Sequence, residues 1–301
     1  MATSPNDVTV LYELKFTQLF ELLAQQTDLR IPKTCRQQDY RGSQGAQVIK
    51  QAGVVNVDLR VNRLEPIQFT DSPLDARWAY PVNYDMAIPF DSFDEIQTMA
   101  DPRSIYVEQQ HAAMNRQMDA EVIRGFYETS HTGQTGGSTT TFPTSTNQIA
   151  YNFGASAATG LTVIKLRQAR LLLRQNEVDL DMEDLYAVLG ATQEDNLLAE
   201  AQVVSTDFND KPVLVDGKIK SFLGIDFIHS EQLPMDSTNT YALVPVYSNR
   251  AMAFGTWMPP SVKITQREDL RGRPWQIYIN AAFGATRLQE KKVMQIQCNG
   301  H

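Results

Sequence analysis

"DPRSIYVEQQHAAMNRQMDAEVIRGFYETS", residues 101–130, decides how the rest of the chain is read. Asp101 is placed to cap a helix and Pro102 to occupy its first turn, where the missing N–H costs nothing. Val107, His111, Met114, Met118, Val122 and Phe126 follow at spacings of three and four, so one stripe runs the length of the segment. About 27 helical residues reach roughly 40 Å. A helix that long needs a broad surface to lie against, and the stripe names the side chains that meet it: Val107, Met114, Met118 and Val122. His111 reads as a packed or partly exposed residue of the stripe.

Working outward toward the N-terminus, Tyr12, Phe16, Leu19, Phe20 and Leu23 form the apolar face of a helix within residues 8–27. A polar stretch to about Gln47 shows neither helical nor strand period and reads as an arm. The period then becomes two. Val55, Val57, Leu59 and Val61 alternate with polar residues, and after the turn-rich "TDSPLD" a second alternation places Trp78, Tyr80, Val82, Tyr84, Met86 and Ile88 on one face. These runs predict a long two-stranded hairpin, restricted to edge-like pairing by Pro81 and Pro89. Such a hairpin is marginal alone, so its apolar face has to be covered by something else.

Beyond the long helix, "SHTGQTGGSTTTFPTSTNQ" reads as a loop or irregular hairpin. Residues 161–176 read as a basic helix, followed by a strand at 185–189, a helix at 193–200, and a helix then strand in "DGKIKSFLGIDFIHSEQLP". The last third is strand: "YALVPVY", "VKIT", "WQIYINAAF" and "KKVMQIQC". The fold class is α+β.

Composition excludes several functions. The 301 residues are 42% hydrophobic with a net charge of −8, enough for a packed core and poorly suited to gripping phosphates. Apolar runs are too short to span a bilayer. Charge is unevenly spread: residues 177–236 carry 14 acidic and 3 basic side chains, whereas 131–176 are net +4 and 237–301 net +5. Either the acidic segment is a solvated face or copies of the chain meet through complementary charge. No phosphate loop, nucleophile elbow or HExxH pair is present. "DLDMED", with Asp179, Asp181 and Glu183, is spaced like a calcium loop but lacks its glycine and its final glutamate. Cys35 and Cys298 stand apart and suggest neither disulfide nor zinc. No catalytic residue, cofactor or metal is expected.

The order of parts, together with "DPRSIYVEQQHAAMNRQMDAEVIRGFYETSHTG", "LTVIKLRQARLLLRQNEVDLDMEDLYAVLG", "KIKSFLGIDFIHSEQLP" and "INAAFGATRLQEKKVMQIQC", resembles tailed-bacteriophage major capsid proteins of the Hong Kong 97-type coat fold. The resemblance covers nearly the whole chain. It implies an N-terminal arm (1–47), an extended loop hairpin (48–88), a peripheral domain with the spine helix (89–145), an axial domain (146–258) and returning peripheral strands (259–301). The function implied is self-assembly, through pentamers and hexamers, into an icosahedral shell enclosing double-stranded DNA without specific binding. The protein would be part of the virion, assembled in the host cytoplasm with no membrane. A portal and a separate scaffolding protein are the implied partners, and with about 47 residues before the hairpin no cleaved scaffolding segment is expected. Trp78, Tyr80, Val82 and Tyr84 would lie on the adjacent subunit, and Arg267, Arg271 and Arg273 would pair with its carboxylates. Some relatives weld subunits through a loop lysine; here no lysine lies between Gln51 and Ile164, so no weld is expected. A bacterial nanocompartment shell of the same fold holding a cargo enzyme, and a soluble hydrolase, are the alternative readings.

Overall fold

The computed structural model describes residues 23–57, 59, 69–90, 103–200, 214–215 and 218–300. The capping pair Asp101–Pro102, most of the N-terminal helix expected at 8–27, and Val61 lie outside them; residues 23–27 are not helical. The strands are β1 (Arg36–Asp39), β2 (Ala46–Ala52), β3 (Leu74–Ala79), β4 (Val82–Phe90), β5 (Ser130–Thr132), β6 (Ser138–Thr140), β7 (Gln148–Ile149), β8 (Leu185–Leu189), β9 (Leu214–Val215), β10 (Lys218–Ile219), β11 (Ser221–Phe222), β12 (Ile225–His229), β13 (Tyr241–Ser248), β14 (Met252–Gln266), β15 (Trp275–Arg287) and β16 (Val293–Asn299). The helices are α1 (Arg103–Tyr127), α2 (Thr144–Asn147), α3 (Val163–Gln175) and α4 (Ala191–Leu198).

α1 is the long helix read from the sequence, 25 residues or about 37 Å. It lies along the four-stranded sheet β1-β14-β15-β4. Its direction follows from two contacts: Gln110 Nε2 donates to Ile277 O of β15 at 2.9 Å, and Gly125 sits so close to Ala285 of β15 that a Cβ would come within 3.2 Å. Between those points run roughly 22 Å of helix and roughly 26 Å of strand, so α1 and β15 travel together. Met114, Met118, Val122 and Phe126 are buried at this seam, Val107 is half-buried and His111 is exposed. Pro89 is accommodated because β4 is an edge strand, and Pro259–Pro260 fall where the β14–β15 register shifts.

A second sheet, β11-β12-β8-β13-β16-β7, carries α3 across one face. β16 therefore joins the strands of the expected axial domain, whereas β14, which straddles the expected boundary at 258/259, belongs to the sheet under α1. A third sheet, β2-β3-β5-β6, is the extended hairpin with its seat.

Three sequence expectations are corrected here. Residues 53–57 form no strand, and Val55, Val57 and Leu59 are exposed; the first limb of the hairpin is β2, paired antiparallel with β3. The run from Trp78 to Ile88 is two strands, because Pro81 breaks it between β3 in one sheet and β4 in another. No helix forms in residues 218–229; Leu223 (φ 55°) and Gly224 (φ 72°) instead make a tight turn joining β11 to β12.

Met118→Asp places a carboxylate at a site 6% exposed, packed in the hydrophobic core. Its expected cost is about 3 kcal/mol or more. Chemical denaturation of the purified variant checks this, and a midpoint equal to that of the parent would show the seam to be wetter than described.

Candidate functional site

Among the described residues no group of three or more His, Cys, Asp or Glu is arranged to hold a metal ion. Asp179 instead accepts from the Asp181 backbone in a turn, and Glu183 is buried against Ser248 and Lys292. Both thiols are buried, which pushes Cys35 and Cys298 up to about 12. The densest polar geometry is mechanical: the joint where helix, sheets and hairpin meet.

Any helix end leaves backbone carbonyls without partners. At the end of α1 they are met by Arg287, the last residue of β15, whose side chain is fully buried. Its Nη1 donates to Phe126 O at 2.7 Å and Glu128 O at 3.0 Å, its Nη2 donates to Thr140 O at 3.3 Å, and its guanidinium lies 5.4 Å from the Phe142 ring centroid. Burial pulls its pKa below the usual guanidinium range, and Glu290, 3.6 Å from Nε, opposes that pull. The same Glu290 takes both terminal nitrogens of Arg77 at 2.9 Å. Arg77 belongs to β3, so one carboxylate fastens the hairpin to the end of the spine.

The Gly, Ser and Thr-rich loop now has a role. It folds as β5 and β6 and seats the base of the hairpin: Trp78 Nε1 donates to Gly133 O at 2.8 Å, Gly133 N donates to Asp75 Oδ1 at 2.9 Å, and Tyr80 meets His131 edge to face. Gly136 (φ 75°) has Tyr80 Oη where a Cβ would stand, at 2.5 Å, so only glycine fits there.

Beyond this seat the described apolar side chains of the hairpin are uncovered. Val54 is 82% exposed, Val57 97% and Phe69 94%. The other residues expected at contacts are spread over the molecule. Trp78 and Val82 are half-buried; Tyr84 stacks on Phe283 and donates to Glu121 of α1 at 2.8 Å. Arg267, Arg271 and Arg273 cluster at the exposed β14–β15 turn, where Arg267 is held by Asp269 at 2.6 Å. Among the described residues the side chains of Arg271 and Arg273 have no partner.

Two outcomes follow from this geometry. Glu290→Gln leaves the buried Arg287 guanidinium without a counter-charge and Arg77 with only the longer 4.0 Å contact to Asp75, and the expected loss is about 2–4 kcal/mol, read as a lowered melting temperature together with faster proteolysis in the hairpin. With both thiols near 12, only ~10⁻⁴ of either is thiolate at pH 8, so neither should react with a disulfide reagent until the chain is unfolded. Rapid labelling of the folded protein would contradict the burial.

The comparisons agree with this architecture. Among solved structures, the capsid of cyanophage P-SCSP1u matches with a TM-score of 0.75 at 16% identity, covering 99% of this chain and 96% of that one. The cyanophage Pam1 capsid matches at 0.74 with 11% identity and 97% coverage of each chain. The acid-stable capsid of Helicobacter pylori bacteriophage KHP30 matches at 0.73 with 9% identity and 99% of each. A search of curated protein sequences found no match. At such identities the likeness shows the fold, that of Hong Kong 97-type coats. The sequence model of the phage capsid protein family matches residues 8–300, almost the entire length, and so this chain belongs to the phage capsid proteins.

Proposed function

We propose that this protein is the major capsid protein of a tailed bacteriophage, whose copies close as pentamers and hexamers into an icosahedral shell around double-stranded DNA. The observation that carries the proposal is the hairpin. It is fastened to the spine by the buried Arg77–Glu290–Arg287 cluster, yet Val54, Val57, Leu59, Phe69 and Leu74 are left in solvent. Apolar side chains presented together on a projection are a contact surface awaiting a partner, and in a shell the partner is another copy. Covering them returns roughly 25 cal/mol per Å² of apolar area.

Sheet membership adjusts the division of labour. The axial unit takes residues 146–250 and returns for 293–300, while β14 and β15 complete the peripheral unit around α1. The net charge of −8 suits a shell that holds DNA without gripping it. A portal vertex and a separate scaffolding protein are the further partners of this reading, and its role is structural rather than catalytic. Among the described residues no helix is long and apolar enough to cross a membrane.

Expressed alone or with its scaffold, the chain should elute as megadalton particles that appear as closed shells by negative stain. Gly53 N donates to Pro73 O at 2.7 Å, which offers a clean place to shorten the hairpin. Replacing residues 54–72 with a two-residue Asn-Gly turn should leave a folded subunit that forms no stable shells. Shells boiled in detergent with reductant should run as single chains of 33.9 kDa, since no lysine lies between Gln51 and Ile164 to weld the loop. Intact particles from the shortened hairpin, or a covalent ladder from the parent, would overturn the respective claim.

A further inference from the structure

α3 buries one face and exposes another of unusual composition. Val163, Leu166, Ala169 and Leu173 pack inward, while Ile164, Arg167, Leu171 and Arg174 face out. Ile164 is 48% exposed and Leu171 49%. The turns at Phe153 and Leu223 wall this face into an open groove of about 570 Å³. The wall at Leu223 is held at a cost. Its φ of 55° lies in the left-handed region, where asparagine or glycine would turn more cheaply, yet a leucine is kept and presents apolar surface. No carboxylate occurs from His131 to Asn176, and among the described residues Arg167 and Arg174 have no side-chain partner. Arg170 is occupied with Leu223 O at 2.5 Å.

A few residues past the end of α3 the chain presents the converse surface. In the turn of "DLDMED", Met182 stands 74% exposed between Asp181 and Asp184, with Asp179 beside it. Glu183 alone turns inward, to Lys292. An apolar, unbranched side chain ringed by carboxylates matches an apolar groove rimmed by guanidiniums in both shape and charge. The turn follows the C-terminal end of α3 while the groove is its outer face, and no ion pair joins the two within the described chain.

We propose that the Met182 turn of one copy inserts into the α3 groove of the next, Met182 between Ile164 and Leu171, with Asp179 and Asp181 facing Arg167 and Arg174. Two different patches meeting in this way form a heterologous contact, which closes into a ring when its rotation allows. The inference rests on the reading above that copies meet in rings, and it assigns the residues that join them.

The buried native thiols make a direct test possible, because added cysteines are then the ones that react. Leu171→Cys combined with Met182→Cys, mildly oxidised in assembled particles, should give a non-reducing ladder ending at pentamers and hexamers, and Met182→Cys alone should give none. Particles that form without a ladder overturn the inference and leave the shell reading standing, whereas a parent chain that forms no particles overturns both. As a second measurement, Arg167→Glu with Arg174→Glu should abolish shells, and adding Asp179→Arg with Asp181→Arg should restore them. Assembly unaffected by the first pair, or loss not rescued by the second in a chain that melts normally, also overturns the inference.

Discussion

The structure turns on one buried cation. A spine helix of 25 residues ends with one side, at Phe126, in the core, and the carbonyls on that side must find donors there or leave costly orphans. Arg287 supplies several donors from one side chain, and the negative end of the helix dipole stabilises its charge in return. The balance is nearly even. Two guanidiniums, Arg287 and Arg77, share the Glu290 carboxylate, Asp75 stands 4.0 Å from Arg77 Nε, and the partial charge at the helix terminus adds to the negative side. Because β15 delivers Arg287, β3 delivers Arg77 and the turn before β16 delivers Glu290, the cluster fixes the angles among spine, hairpin and both larger sheets. Removing one partner would strand the others, which makes the joint costly to break even though a buried ion pair adds little net stability.

The same device recurs wherever an irregular segment has to be held. Lys165 is buried on α3 and its ammonium lies 2.9–3.0 Å from four carbonyls, those of Tyr151, Thr159, Gly160 and Gln297. It gathers the glycine-rich turn before α3 onto the end of β16, and burial lowers its pKa. Asp119 does the corresponding work on α1, accepting from the Ile31 backbone at 3.0 Å and the Arg30 backbone at 3.2 Å and so holding the arm where it meets the spine. A charge in a dry place satisfies several backbone groups at once, whereas an apolar contact satisfies none.

Legibility in the sequence follows from which partner a pattern was made for. The stripe of α1 and the alternation of β15 were readable because each meets the chain's own core. Val55 and Val57 alternate just as clearly, but they are exposed, so their period marks a surface outside that core. "AQVIKQA", which forms β2, carried no clear period because only Ala46 and Val48 are buried along it. The run from Trp78 to Ile88 kept one phase across Pro81 although the chain changes sheets there, and periodicity does not see such a change. Arg287, Lys165 and Glu290 were missed as structural centres. The available signal was a lone cation in an otherwise apolar stretch, as in "INAAFGATR", where a charge survives only if something buried needs it.

A subunit of this kind faces opposed requirements, and the division of its charges meets them. Joints within the chain have to be set before assembly, and they use buried ions whose partners lie in the same chain. Surfaces that meet another copy have to remain soluble until it arrives, and the two proposed here interleave apolar with polar residues in the sequence: Val55, Val57 and Leu59 with Asn56, Asp58 and Arg60, Ile164 and Leu171 with Arg167 and Arg174. Interleaving keeps any contiguous apolar patch small, which limits aggregation of the free subunit. It also keeps each contact weak alone. Strength then comes from the number of contacts that form together when a ring closes, since each later contact is made at high effective concentration. A subunit whose joint is fixed by buried ions gains most from that arithmetic, because a joint that flexed would let one contact form without aligning the next.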